Sequence, residues 1–179
     1  CSSDLDPFHY RNKAQFPVGR NRDGKIVTGF YAGRTHSIIE NRDCVLGVPQ
    51  NREILDRVID YMETYDISPY DEVTGKGLIR HIFTRYGYHT GEIMVCIVAN
   101  GSRLPHQQEL VKALREIPGM TSITLNINKN RNNVILGEKI QVLWGQEYIT
   151  DKIGDISYQI SPLSFYQVNP QQTRELYSK

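Results

Sequence analysis

Two groups of residues in this chain have the types and spacing to do chemistry. The first is near the carboxyl end, in Ser161-Pro162-Leu163-Ser164-Phe165-Tyr166-Gln167-Val168-Asn169-Pro170. Phe165 and Tyr166 offer flat π-faces, and Gln167 carries two donors and two acceptor lone pairs on one short side chain. Asn169 before Pro170 reads as a helix N-cap with proline at the first helical position, which leaves free backbone amides for polar ligand groups. The same residues also suit a strand-to-helix corner with buried aromatics. The second group is two basic clusters, one near the amino end and one around residue 130. Arg11, Lys13, Arg20, Arg22, Lys25 and Arg34 are interleaved with Tyr10, Phe16, Phe30 and Tyr31, and Lys129 and Arg131 stand among five asparagines, Asn126, Asn128, Asn130, Asn132 and Asn133. Cations for phosphates beside aromatic faces for unstacked bases is the combination that single-stranded RNA recognition uses; a solvated surface over core aromatics is the plainer reading.

Catalytic groups are not evident. His9, His36, His81, His89 and His106 lack metal-ligand spacing, and no glycine-rich phosphate loop, nucleophile elbow or paired-carboxylate motif occurs. Three cysteines, odd in number and widely separated, do not make a disulfide framework and fit a reducing compartment. Cys96, inside an apolar run, reads as a small core residue. A net charge of +1 excludes a global basic field, so any nucleic-acid contact must rest on local clusters. No apolar run approaches the roughly 20 residues of a membrane helix, and no signal-like segment opens the sequence. A soluble, cytoplasmic protein is the expectation.

The elements that must position these groups are legible as an α+β succession over residues 1–160. Residues 8–19 and 25–32 alternate around Arg22-Asp23-Gly24, a hairpin turn, so residues 8–32 form a β-hairpin presenting the basic cluster. Residues 49–65 place Ile54, Leu55, Val58, Ile59 and Met62 at helical spacing. Residues 78–127 read as a ferredoxin-like ββαβ unit with its helix on one face of an antiparallel sheet. Further strands follow over 134–160, at 134–136, 139–144 and 155–160. A junction falls at Ser161, and residues 161–179 read as the start of another domain.

Five blocks in collinear order resemble one family. These are Phe8-His9-Tyr10-Arg11-Asn12-Lys13-Ala14-Gln15; Gly29-Phe30-Tyr31 with Ser37-Ile38-Ile39; Gly75-Lys76-Gly77-Leu78-Ile79-Arg80-His81 with Arg85-Tyr86-Gly87-Tyr88-His89-Thr90-Gly91-Glu92; Asn126-Ile127-Asn128 with Asn133-Val134-Ile135-Leu136-Gly137; and Ser161 to Pro170. Together they are similar to the central domain of the RNA uracil-5-methyltransferases, continued to the first turn of a Rossmann-like methyltransferase domain.

The resemblance implies a part of an S-adenosylmethionine-dependent enzyme that makes 5-methyluridine, with 23S rRNA as the leading substrate and tRNA as the other. It implies that Gln167 contacts S-adenosylmethionine, that Phe165 lies near a flipped base, and that Arg11, Lys13 and Gln15 face RNA. Some relatives carry arginine where this chain has Gln15, which puts phosphate pairing there in doubt and leaves base-edge hydrogen bonding open. Arg80 and Arg85 are lesser candidates. Cys44 matches the last thiolate of a four-cysteine 4Fe-4S cluster whose other ligands would stand upstream. The nucleophilic cysteine, base and cofactor loop would stand downstream, so this chain alone is expected to methylate nothing. A non-catalytic α+β interaction or ligand-sensing domain is the alternative, and an exposed apolar sheet face would mark it.

Overall fold

The computed structural model describes residues 8–164. Among them a seven-stranded sheet runs in the order β3-β2-β1-β4-β5-β6-β7, and β8 and β9 pair separately. The elements are β1 (Lys13–Arg20), β2 (Ile26–Tyr31), β3 (Ile38–Glu40), α1 (Gln50–Thr64), β4 (Ile79–Tyr86), β5 (Ile93–Ala99), α2 (Gln107–Arg115), β6 (Met120–Ile127), β7 (Lys139–Gly145), β8 (Ile149–Ile153) and β9 (Ile156–Ile160). Every neighbouring pair is antiparallel except β5 and β6.

One face of the sheet forms the main core. Alternation puts Phe16 and Val18 of β1, Ile82 of β4, Val95 and Ile97 of β5, and Ile123 and Leu125 of β6 against Ile54, Leu55, Val58, Ile59 and Met62 of α1 and Leu110 and Leu114 of α2. Each such side chain contributes about 1.5–3 kcal/mol by leaving water. Two polar ties lock the layer. Thr84 Oγ1 donates to Asn51 Oδ1 at 2.8 Å, joining β4 to the first turn of α1. Arg57 of α1 donates to Glu53, to Glu116 and to the Ala113 carbonyl, joining the two helices.

β5, Ile-Met-Val-Cys-Ile-Val-Ala, is buried on both faces, which is why it is apolar without a break instead of alternating. Its partner layer on the second face includes the β8–β9 hairpin, whose Ile149 and Ile160 enclose Met94. The Cys96 thiol sits on this face too, and burial pushes its pKa up to about 11. It is therefore the inert core thiol expected from its apolar run.

Several details differ from the sequence reading. The ββαβ succession is present, but β5 and β6 are direct neighbours. A ferredoxin-like unit would set another strand between them. Residues 134–136 are not a strand but part of a loop, while β8 was not expected. The first hairpin is shorter than residues 8–32, because His9 and Arg11 donate their backbone amides to Val45 and Leu46 instead of to a hairpin partner. Gly24 turns the hairpin at φ 80°, a conformation that a side chain would strain. Gly29 is required for a different reason: a Cβ there would stand 2.0 Å from the Ile39 carbonyl oxygen. That close approach lets β3 pair with β2.

Candidate nucleic-acid interface

The β1–β4 register puts Lys13 opposite Arg85, Gln15 opposite Phe83 and Pro17 opposite His81. Directly opposed residues share a face, and Phe16 and Val18 point to the helices, so this set lies on the second face. Lys13 Nζ is 5.6 Å from the Phe83 ring centroid, and Arg85 Cζ is 5.3 Å from it. Two cations thus flank one aromatic ring that is fully buried.

The electrostatics of the pair are unusual. Among the described residues the ion pairs involve His36, Arg42, Arg52 and Arg57, and neither Lys13 nor Arg85 has a carboxylate partner. Burial first, and then the Arg85 charge, hold the Lys13 pKa below the usual lysine range. Burial alone lowers Arg85 to about 10. Arg85 donates to the Ser164 carbonyl, but its Nε is buried without a hydrogen-bond partner. An anion placed here would relieve both desolvation and repulsion.

Arg11 extends the positive edge. It is exposed, and its guanidinium lies 6.0 Å from the Tyr10 ring centroid. Its backbone is pinned beside Gly47, whose carbonyl also takes a 2.7 Å contact from His9 Nδ1. Lys13 and Gln15 are half-buried, with Lys13 partly accessible beside the ring. The structure therefore brings Lys13 and Gln15 together on β1, with Arg11 next to them.

Arg80, one of the lesser RNA-facing candidates, is engaged inside the fold. It is a buried residue and not a solvated strand cation: it donates to the Asn128 and Asn130 carbonyls at 2.9 and 2.6 Å and stacks 4.3 Å over Tyr70. Asn126 and Asn128 are likewise structural, while Lys129 and Arg131 stay exposed. The Asn126 amide donates to the Gly137 carbonyl at 2.8 Å and accepts from the Gly137 amide at 2.7 Å. Asn128 donates to the Val134 and Ile135 carbonyls. These two side chains replace a backbone ladder for the loop after β6. Replacing Asn126 by alanine should lower stability by about 2 kcal/mol, because both Gly137 groups lose their partner; denaturant midpoints at unchanged m-value check this.

His81 and His89 do not come together: His89 is in the β4–β5 turn, where its amide donates to Asp151 Oδ1, and His81 is buried in β4. Cys44 is a half-buried free thiol whose carbonyl accepts from the Gly47 amide at 3.0 Å. A 4Fe-4S cluster needs four converging thiolates, and among the described residues no group of three His, Cys, Asp or Glu side chains converges. The described residues alone do not fit a cluster. Gln167 and Phe165 lie outside the described residues, as does Cys1.

No family model matches the chain. Individual relatives do. It is 46% identical over 175 residues to an uncharacterized RNA methyltransferase of Halalkalibacterium halodurans, covering 97% of this chain and 38% of that relative. To one from Oceanobacillus iheyensis it is 45% identical over 176 residues, with the same coverages of 97% and 38%. To one from Clostridium tetani it is 42% identical over 175 residues, again covering 97% and 38%. The crystal structure of the Pyrococcus abyssi tRNA (uracil-54, C5)-methyltransferase, in complex with S-adenosyl-L-homocysteine, superposes with a TM-score of 0.79 at 26% identity, covering 97% of this chain and 40% of that one. The chain thus spans about two-fifths of the length of the proteins it matches.

A sheet with a basic, partly desolvated face, matched along nearly all its length by RNA methyltransferases, defines the class of this protein. Over the length they share, the chain is related in sequence to RNA methyltransferases and has the fold of part of a tRNA (uracil-54, C5)-methyltransferase.

Proposed function

We propose that this chain supplies the RNA grip of an S-adenosylmethionine-dependent uracil-5-methyltransferase, acting on 23S rRNA. Residues 1–160 form the recognition domain and residues 161–179 begin the catalytic one. The observation that carries the reading is the Lys13–Arg85 pair. Two neighbouring cations, both desolvated and neither matched to a carboxylate among the described residues, are costly unless an anion joins them. An RNA phosphate is that anion, with Arg11 beside it and the Gln15 amide free to read a base edge. S-adenosylmethionine supplies the methyl group when bound; in this reading Gln167 contributes one hydrogen-bonding group to it and Phe165 stacks near the extruded base. Cys44 is assigned as one cluster thiolate, to be joined by ligands outside the described residues. The site of work is the cytoplasm.

Binding of the full chain to a single-stranded RNA oligonucleotide, measured by fluorescence anisotropy over a salt series, tests this. Three phosphate contacts predict a slope of about −2 in log affinity against log salt. Equal affinity for heparin would overturn specific recognition. In the same preparation calorimetry should detect no S-adenosylmethionine binding, since one glutamine does not make a pocket.

A further inference from the structure

A groove of about 1030 Å³ opens between the β1–β2 hairpin, the β2–β3 turn and the loop over residues 68–77. Tyr31 lines it. The residue is 38% exposed, so part of its side chain is open to the groove. His81 meets it edge-on at 6.2 Å, and His36 lies tilted at 5.3 Å. An aromatic with two ring neighbours that is still partly exposed can offer a base a surface to stack on.

The groove also carries charges of both signs. Arg20, Arg22 and Lys76 line it, all exposed. Arg20 uses one nitrogen on the Gly24 carbonyl at 2.8 Å, which fixes the hairpin tip and leaves its other donors free. Arg22 and Lys76 are in no ion pair among the described residues. Glu72, also exposed, lines the same groove and accepts from His36 Nδ1 at 2.5 Å. Glu72 also adjoins the Tyr31 phenol: burial and then this carboxylate push the Tyr31 pKa up to about 12. Glu72 is an acceptor with lone pairs to spare beyond these contacts. The loop carrying Glu72 and Lys76 is held by the Asp71 carboxylate, which accepts from the Val73 amide and the Thr74 hydroxyl at 2.9 Å each. It is therefore a built wall of the groove.

A partly exposed aromatic, exposed cations and an acceptor-only carboxylate beside the ring match the three parts of a nucleotide. We propose that this groove seats one unstacked RNA nucleotide, its base on Tyr31, its phosphate on Arg20, Arg22 and Lys76, and its amino-bearing edge on Glu72. The proposal rests on the reading of the chain as an RNA-binding domain and adds a second contact point, at the opposite end of β1 from Lys13. It also sets a preference. Adenine and cytosine present amino protons that a carboxylate accepts, while uracil offers only its N3–H, flanked by two carbonyl oxygens that repel Glu72.

The test uses the full chain with labelled eight-nucleotide RNAs of adenine, cytosine or uracil and an RNA duplex. Tyr31→Ala should weaken binding of the adenine and cytosine RNAs by about 5-fold or more, the range of one lost stacking contact. Tyr31→Phe should restore it, and duplex affinity should not change. Arg22→Glu, at an exposed turn position, should lower affinity for single strands with an unchanged circular dichroism spectrum. The uracil RNA should bind the wild type more weakly than the other two. If Tyr31→Ala and Arg22→Glu bind single strands as the wild type does while Lys13→Glu still loses them, the groove is not a nucleotide site and the RNA reading survives. If the wild type binds no RNA at all, both fall.

Discussion

Replacing Lys13 by glutamate should weaken RNA binding by more than about 10-fold and stabilise the fold in the same step. The new carboxylate would face Arg85 directly across the β1–β4 ladder. A buried guanidinium that has no carboxylate partner among the described residues would gain one. Because position 13 is partly exposed, solvent screening limits the gain to about 1 kcal/mol. For RNA the sign reverses: a phosphate loses one cation, meets an anion, and finds Arg85 already neutralised. Affinity at moderate salt should fall by more than about 10-fold, and the salt slope should flatten by about 1. Most substitutions that weaken binding also destabilise, so opposite signs in the two measurements would separate a binding role from a structural one. A denaturation midpoint that falls, or an affinity that holds, would sink the assignment of this pair as a phosphate site.

The second large effect is acid lability centred on His81. Both of its ring nitrogens are buried without a hydrogen-bond partner, with the Tyr31 ring at its edge and the Arg80 cation beside it in sequence. Burial, and then the Arg80 charge, lower its pKa from the ordinary 6.5 to about 4. Between those values the unfolded chain takes up a proton that the folded one refuses. Stability is therefore complete above about pH 6.5 and declines as pH falls toward 4. The integrated loss reaches about 3 kcal/mol at most. His81→Leu keeps an apolar side chain of similar bulk and removes the titration, so its stability should stay level across that window. Carboxylate protonation lowers stability in both proteins at still lower pH, so the difference between them isolates the histidine. Parallel pH profiles for the two would show that the imidazole is hydrated or charged in the folded state.

Both predictions concern residues whose environment was invisible in the chain. Arg80 and Arg85 look like ordinary strand cations when read in order, since a strand of alternating apolar and charged residues suggests one wet face. The sheet is covered on both sides over β4, β5 and β6, so that alternation sorts two buried faces instead of a dry one and a wet one. The same logic hid Asn126 and Asn128. An asparagine-rich stretch reads as an exposed loop, yet these two turn inward and carry the loop's hydrogen bonds. β8 escaped notice because Ile149-Thr150-Asp151-Lys152-Ile153 is short and polar, with a burial pattern set by its hairpin partner and by Met94.

What periodicity and family likeness carried was the ordering of elements, the helix around Ile54 to Met62, the hairpin turn at Gly24 and the kinship with RNA methyltransferases. These depend on local spacing or on collinear motifs, and both survive in one dimension. The pairing of Lys13 with Arg85, the desolvation of His81 and the groove at Tyr31 arise from strands that meet across 50 to 72 positions of chain. Desolvation and repulsion depend on distance in space, and that became defined only when β1 and β2 closed onto β4.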